Sequence, residues 1–405
     1  MIKKTGLLAI MVCLLLVLSS PVQAQDKLQI IDDAAQVEFP ASLSFGLSAR
    51  SDVNITDIRL CYTLNRLGFA EVNSEVYIEF VPGTTVDVEW SLDMVKVGGL
   101  PPGTSVAYWW LVNDASGDRV ETTQTRILFS DNRYQWRNLT EGQVTIYWYD
   151  GDESFARELM SASHQALDRL AADTGALLEK PAAIYIYSST QDLRGAMIYP
   201  REWTAGAAFT RFGIIVIGIA PGSLSWGKRA IAHELAHLVI HQITLNPYSD
   251  LPTWLDEGLA MYAEGLPSPQ YTSRLYQAIT DDNLISVRSL SSPFSAYAEE
   301  ATLSYAQSYS LVEFLIQQYG QDKMLALLST FRQGSTYDGA LEKILGFDTD
   351  ALNASWQDYV TEQYQTPVKE KTLHPALIAL LAALATLLVI ALGLAARSLI
   401  RRQGQ

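Results

Sequence analysis

Ala232-His233-Glu234-Leu235-Ala236-His237, with Glu257 twenty residues beyond His237 in Trp254-Leu255-Asp256-Glu257-Gly258-Leu259-Ala260, is the stretch around which the rest of the chain is read. At 3.6 residues per turn His233 and His237 stand one above the other on one helix face, so both imidazoles reach a single tetrahedral Zn²⁺. Glu234 points about 100° further round. From there it is a poor ligand but well placed beside a metal-bound water, whose proton it takes as general base. The third ligand must come from a second helix. Asp250-Leu251-Pro252 reads as the start of that helix and Gly265 as its stop, which makes Glu257 the candidate and leaves one coordination position open. Two imidazoles and one carboxylate leave the ion with a net charge of about +1, enough to bring a bound water toward a pKa of ~7.

The H-E-x-x-H helix together with W-L-D-E-G-L-A-x-Y resembles the gluzincin zinc metallopeptidases, and within them the peptidase MA-like family. The resemblance covers roughly residues 135 to 365 when Ser304-Tyr305-Ala306-Gln307-Ser308-Tyr309-Ser310 and Tyr319-Gly320 are included. It implies one Zn²⁺ per chain held by His233, His237 and Glu257, with Glu234 as the catalytic base. One position departs from the pattern. In thermolysin-like members an aspartate four residues after the ligand glutamate orients a ligand histidine, and here that position is Met261. Carboxylates behind zinc-bound imidazoles fix their tautomer and basicity, so another group must serve. Asp256 and Glu264 are the nearest, and Glu264 lies two turns beyond Glu257 on the same face. His241, one turn past His237, reads as a hydrogen-bonded neighbour, because a fourth protein ligand would close the site. Tyr305 and Tyr309 share a face of the expected helix from Ala301 to Gln318, which the resemblance packs against the site. Either can donate to the oxyanion of amide hydrolysis, or be a core residue with a satisfied hydroxyl.

The ends of the chain say where this chemistry is kept. Lys3 and Lys4, the apolar run Leu7 to Leu18 and the exit Val22-Gln23-Ala24 read as a signal peptide over residues 1–24. Residues 375–396 are apolar and long enough to span a bilayer, with Arg397, Arg401 and Arg402 beyond them, so the expectation is a single transmembrane helix after a stalk at 366–374 and before a cytoplasmic tail at 397–405. Cys13 lies in the signal peptide, and Cys61 then stands alone in an alternating run as a buried apolar residue. The whole chain has 29 basic and 44 acidic residues, and five of the basic ones lie in the terminal segments. The exported part is strongly acidic, which argues against nucleic acid or anionic lipid as a partner but identifies no substrate; a peptide or protein substrate is what the resemblance implies.

Between the termini the hydrophobic period changes once. Short alternating strands at 41–47, 58–64, 76–81, 86–92, 106–112 and 122–129, with turn signals at Pro101-Pro102-Gly103 and Asn113-Asp114, predict an Ig-like or fibronectin-like β-sandwich over residues 25–133. Its partner, if it binds one, is not readable. From 134 to 365 the pattern predicts an α+β, gluzincin-like domain that is mainly helical toward its C-terminus. Its expected elements are a helix at 154–174, a strand at 183–187, a short helix at 191–197 and a strand at 212–219 before the zinc helix. By resemblance that last strand lines the cleft and pairs with an extended substrate, or it is a buried central strand. The chain thus reads as a membrane-anchored extracytoplasmic zinc peptidase. The alternatives are a surface protein with a non-catalytic metal site, and a zinc hydrolase of a non-peptide substrate.

Overall fold

The computed structural model describes residues 27–68, 70–200, 204–295 and 297–365. The signal peptide and the membrane helix expected from the sequence lie outside them. Among the described residues no helix is long and apolar enough to cross a membrane.

The N-terminal part is all β, built on one long strand. β1 (Gln29–Glu38), β2 (Ser42–Leu64), β3 (Asn73–Tyr77), β4 (Gly83–Asp93), β5 (Thr104–Asp114), β6 (Arg119–Glu121) and β7 (Thr125–Phe129) form a single antiparallel sheet, with the four-residue helix α1 (Met94–Val97) between β4 and β5. Residues 42–50 of β2 pair with β1 and β4, the register shifts between Arg50 and Ile55, and residues 55–64 pair with β3 and β5. This corrects the expected strand division: what read as two separate strands at 41–47 and 58–64 is one strand. A bulge lets a strand turn without ending, so both halves stay in one hydrogen-bonded sheet. They still close on one core. Phe45 of the first half lies 5.0 Å from Tyr108 and 6.4 Å from Tyr62 of the second, ring centre to ring centre. The inward residues of β5, Val106, Tyr108, Trp110 and Val112, alternate with outward ones as a half-buried strand requires.

The second sheet carries the order β11-β12-β10-β9-β8, from β8 (Arg137–Glu141), β9 (Val144–Trp148), β10 (Ala182–Tyr187), β11 (Gly206–Phe209) and β12 (Ile214–Gly218). β9, β10 and β12 are parallel, and parallel strands need cover on both faces. Ile184, Ile186, Ile215 and Ile217 face α2 (Glu153–Thr174) and α4 (Leu224–Thr244), while Tyr187, Ile214 and Val216 face an aromatic layer containing Tyr134, Trp136, Tyr149 and Phe39. Phe39 comes from the turn between β1 and β2. Buried Asp131 fastens the junction by accepting hydrogen bonds from Tyr187 Oη at 2.9 Å and Arg133 Nη2 at 2.7 Å. Between β10 and β11 lies α3 (Thr190–Arg194).

The remaining elements are helical: α5 (Thr253–Glu264), α6 (Pro269–Thr280), α7 (Val287–Leu290), α8 (Ala298–Arg332), α9 (Tyr337–Leu345) and α10 (Thr349–Gln365). α8 is broken at Gly320, whose φ of 80° is left-handed, so the helix expected to end at Gln318 ends within two residues of that point. α5 begins at Thr253 with Pro252 as its N-cap and no capping side chain, rather than under an Asp250 cap, and it stops at Gly265 as expected. It presses on α8 at Gly258, where an added Cβ would collide with the Ser308 carbonyl oxygen. That close approach requires glycine and fixes the depth at which the neighbouring Glu257 is held.

Candidate metal centre

α4 presents His233 and His237 on one face, and α5 lies across it. The His233 Nδ1–H donates to Glu264 Oε1 at 2.8 Å, and the His237 Nδ1–H donates to Asp256 Oδ1 at 2.9 Å. A carboxylate can only accept, so both imidazoles carry their proton on Nδ1 and turn an Nε2 lone pair inward. The two Nε2 atoms are 3.2 Å apart, and Glu257 Oε2 lies 3.5 Å from one and 3.6 Å from the other. Glu257 Oε2 is buried and has no hydrogen-bond partner. Three electron-pair donors therefore converge on one point. A tetrahedral ion with bonds of ~2.05 Å separates its ligands by about 3.3 Å, so the donor set fits zinc in both chemistry and spacing.

The departure at Met261 is resolved by two carboxylates rather than one. Met261 is buried apolar packing, Glu264 holds His233, and Asp256 holds His237. His241 donates from Nε2 to the second oxygen of Asp256 at 3.0 Å, so it braces the bracing carboxylate and points no lone pair at the centre. Burial opposes charging the His233 imidazole, but Glu257 and Glu264 outweigh it and lift its pKa to about 9. His237 is raised well above its ordinary value, with burial opposing and Asp256 and Glu257 prevailing. Burial pushes Glu257 up, and the two imidazoles more than reverse it, to about 2. Glu234 moves the other way: burial raises its pKa, and the Glu257 and Glu264 charges add to that.

Residues 162–362 match the family model described as the Peptidase MA superfamily. This part of the chain is thus similar to that superfamily. The match takes in both helices that carry the centre and the long helix behind them. Among solved structures the chain resembles an M1 zinc metallopeptidase from Deinococcus radiodurans at 14% identity and a TM-score of 0.36, covering 82% of this chain and 94% of that one. It resembles aminopeptidase A from Legionella pneumophila at 10% identity and a TM-score of 0.35, covering 82% of this chain and 50% of that one. Catalytically inactive OgpA from Akkermansia muciniphila, solved with an O-glycopeptide substrate, matches over 26% of this chain and 30% of its own length, at 9% identity and a TM-score of 0.20. No curated protein matches the sequence.

Around the centre the other expected residues separate. Tyr305 lines the cavity of about 640 Å³ that opens onto His233, Glu234, His237 and Glu257. Tyr309 does not: it is buried, stacks on Tyr262 at 6.0 Å and donates its hydroxyl to Glu313 at 3.2 Å. The strand expected at 212–219 is the central reading, not the cleft reading. β12 is buried throughout and pairs on both sides, with β10 and with β11. The strand at the cleft is β11, which the sequence does not announce, since Gly206-Ala207-Ala208-Phe209 lacks the β-branched residues that mark strands. β11 is the edge of its sheet, and a Cβ placed on Gly206 would lie 2.7 Å from Glu234 Oε1. Glycine there lets the edge backbone reach the base.

Proposed function

We propose that this chain is a zinc metallopeptidase that hydrolyses peptide bonds by direct attack of water. The observation that carries it is the convergence of three donor lone pairs in front of a buried glutamate beside an open sheet edge. His233, His237 and Glu257 would hold the ion, which supplies Lewis acidity to an attacking water and to the substrate carbonyl. The rest falls to the protein. The free edge of β11 accepts an extended peptide as one more strand, which holds the scissile bond by backbone hydrogen bonds with little demand on side chains. Glu234, with a proton affinity raised by burial, takes the proton of the attacking water and passes it to the leaving amine. Tyr305, across the same cavity, donates its phenol hydrogen to the carbonyl oxygen as that oxygen gains charge. With Asp256 and Glu264 both bracing ligand histidines, Met261 no longer favours a non-catalytic site.

The sequence pattern at 1–24 and 375–396 supports the further reading that residues 25–133 and 134–365 are exported and held at a membrane, with the basic tail inside. Protease added to intact cells would then digest both parts and spare the tail, and an uncut protein would sink that placement. The activity is tested by incubating the zinc-loaded protein with a mixed peptide library and reading products by mass spectrometry. Glu234→Gln should retain one zinc per chain and lose on the order of 10²- to 10⁴-fold in rate. An intact library, or equal cleavage by wild type and variant, would refute the peptidase reading.

A further inference from the structure

The metal centre is flanked by two cavities. The larger runs the length of β11, from Thr204 to Thr210, and on to Tyr305. The smaller, about 290 Å³, lies past the Gly206 end of β11 and is lined by Trp226, Arg229, Met261, Leu266, Gln270 and Tyr271. Both include Gly206, His233 and Glu234, so the base sits at the waist between them. Helical spacing explains the lining, because Trp226 and Arg229 precede His233 by seven and four residues and share its face.

Arg229 stands out. Its neighbour Lys228 is paired to Glu158 at 2.5 Å, whereas the exposed Arg229 guanidinium has no ion pair with a described residue. Of the two carboxylates that line the same cavity, Glu264 is engaged by His233 and Glu234 lies at the waist. An unpaired guanidinium beside Trp226, Met261 and Leu266, in a cavity otherwise lined by polar groups, can receive a carboxylate on a short aliphatic stem with two parallel hydrogen bonds.

We infer that this cavity is a subsite selecting a carboxylate on the C-terminal side of the scissile bond, with Arg229 as the specificity-determining residue; the inference rests on the peptidase reading above. The side follows from strand direction. β11 runs antiparallel to β12, and antiparallel addition is the commoner mode at an edge. A peptide running antiparallel to β11 passes Ala208 first and Gly206 later, so its residues after the scissile bond enter the smaller cavity. The carboxylate is either a glutamate side chain in the first position after the bond or the free C-terminus of a short substrate.

The test uses the zinc-loaded full chain carrying Glu234→Gln, so that binding is read without turnover. Peptides with Glu or Gln at the position after the scissile bond, each as free acid and as C-terminal amide, are titrated by fluorescence anisotropy. The expected result is about tenfold tighter binding of one carboxylate form over its neutral counterpart. Adding Arg229→Gln should abolish that ratio, and Arg229→Lys should keep part of it. Preference for Glu over Gln assigns the side chain, and preference for acid over amide assigns the terminus. Equal binding of all four peptides, or a ratio that survives Arg229→Gln, would overturn the inference. Wild-type turnover is measured in parallel, so failure of the peptidase reading is seen separately.

Discussion

Zinc should displace protons from this protein even where ordinary histidines have none to give. Both Nε2 atoms must be bare to ligate, yet in the absence of the ion His233 has a pKa of about 9 and His237 is raised well above 6.5. At pH 8 an ordinary imidazole of pKa 6.5 is protonated about 3% of the time, so two of them would release roughly 0.1 proton per ion. His233 alone should release about 0.9, and His237, raised in the same direction, adds to that. Glu257, at about 2, is already ionised and contributes none. Ionisation of an entering water adds at most one proton in either case. Calorimetric titration of metal-free protein with zinc, repeated in buffers of different ionisation enthalpy, reads the number directly. More than one proton per ion is expected. One or fewer would mean that Glu257, Glu264 and Asp256 do not hold the histidines charged, and the account of the centre would fall.

The same contacts set four further outcomes. Asp256→Asn and Glu264→Gln should each weaken zinc binding by roughly 10- to 100-fold, measured by chelator competition, because each frees one imidazole to turn. Tyr305→Phe should lower kcat by about 10²-fold with little change in KM, whereas Tyr309→Phe, remote from the cavity, should leave both nearly unchanged. Gly258→Val should cost about 1–3 kcal/mol of stability or more in thermal unfolding and loosen zinc with it, since the new side chain meets the α8 backbone. Metal-free protein should be most stable between about pH 4.5 and 6.5. The raised His233 contributes fully below 6.5 and is lost as pH rises through about 9, while the lowered Glu257 contributes above 4.5 and is lost as pH falls through about 2. Zinc-loaded protein should lose the alkaline decline, and denaturant midpoints across pH check both.

What was legible in the sequence was what helical periodicity decides. His233 and His237 four apart, and Asp256, Glu257 and Glu264 on one short helix, meet because rigid α-helices carry side chains at fixed angles. Even the replacement of the missing aspartate follows from spacing, as Glu264 is two turns past Glu257. What was not legible depends on pairings between distant segments. A run of two alanines between Gly206 and Phe209 has no strand signature, and becomes an edge strand only because β12 offers it a partner. Likewise β2 reads as two strands because its middle, Ser51 to Asn54, breaks the alternation, although the chain continues through it into a second set of partners. The two kinds of information meet at Gly206. The sequence gives no reason for a glycine there, and the structure gives one: the edge that would bind substrate must approach Glu234 more closely than any side chain permits. Gly206→Ala is therefore a test of the cleft and not of the fold. The added methyl should displace Glu234 and lower kcat with zinc content and thermal stability kept, and a variant of unchanged kcat would show that β11 does not lie against the reacting bond.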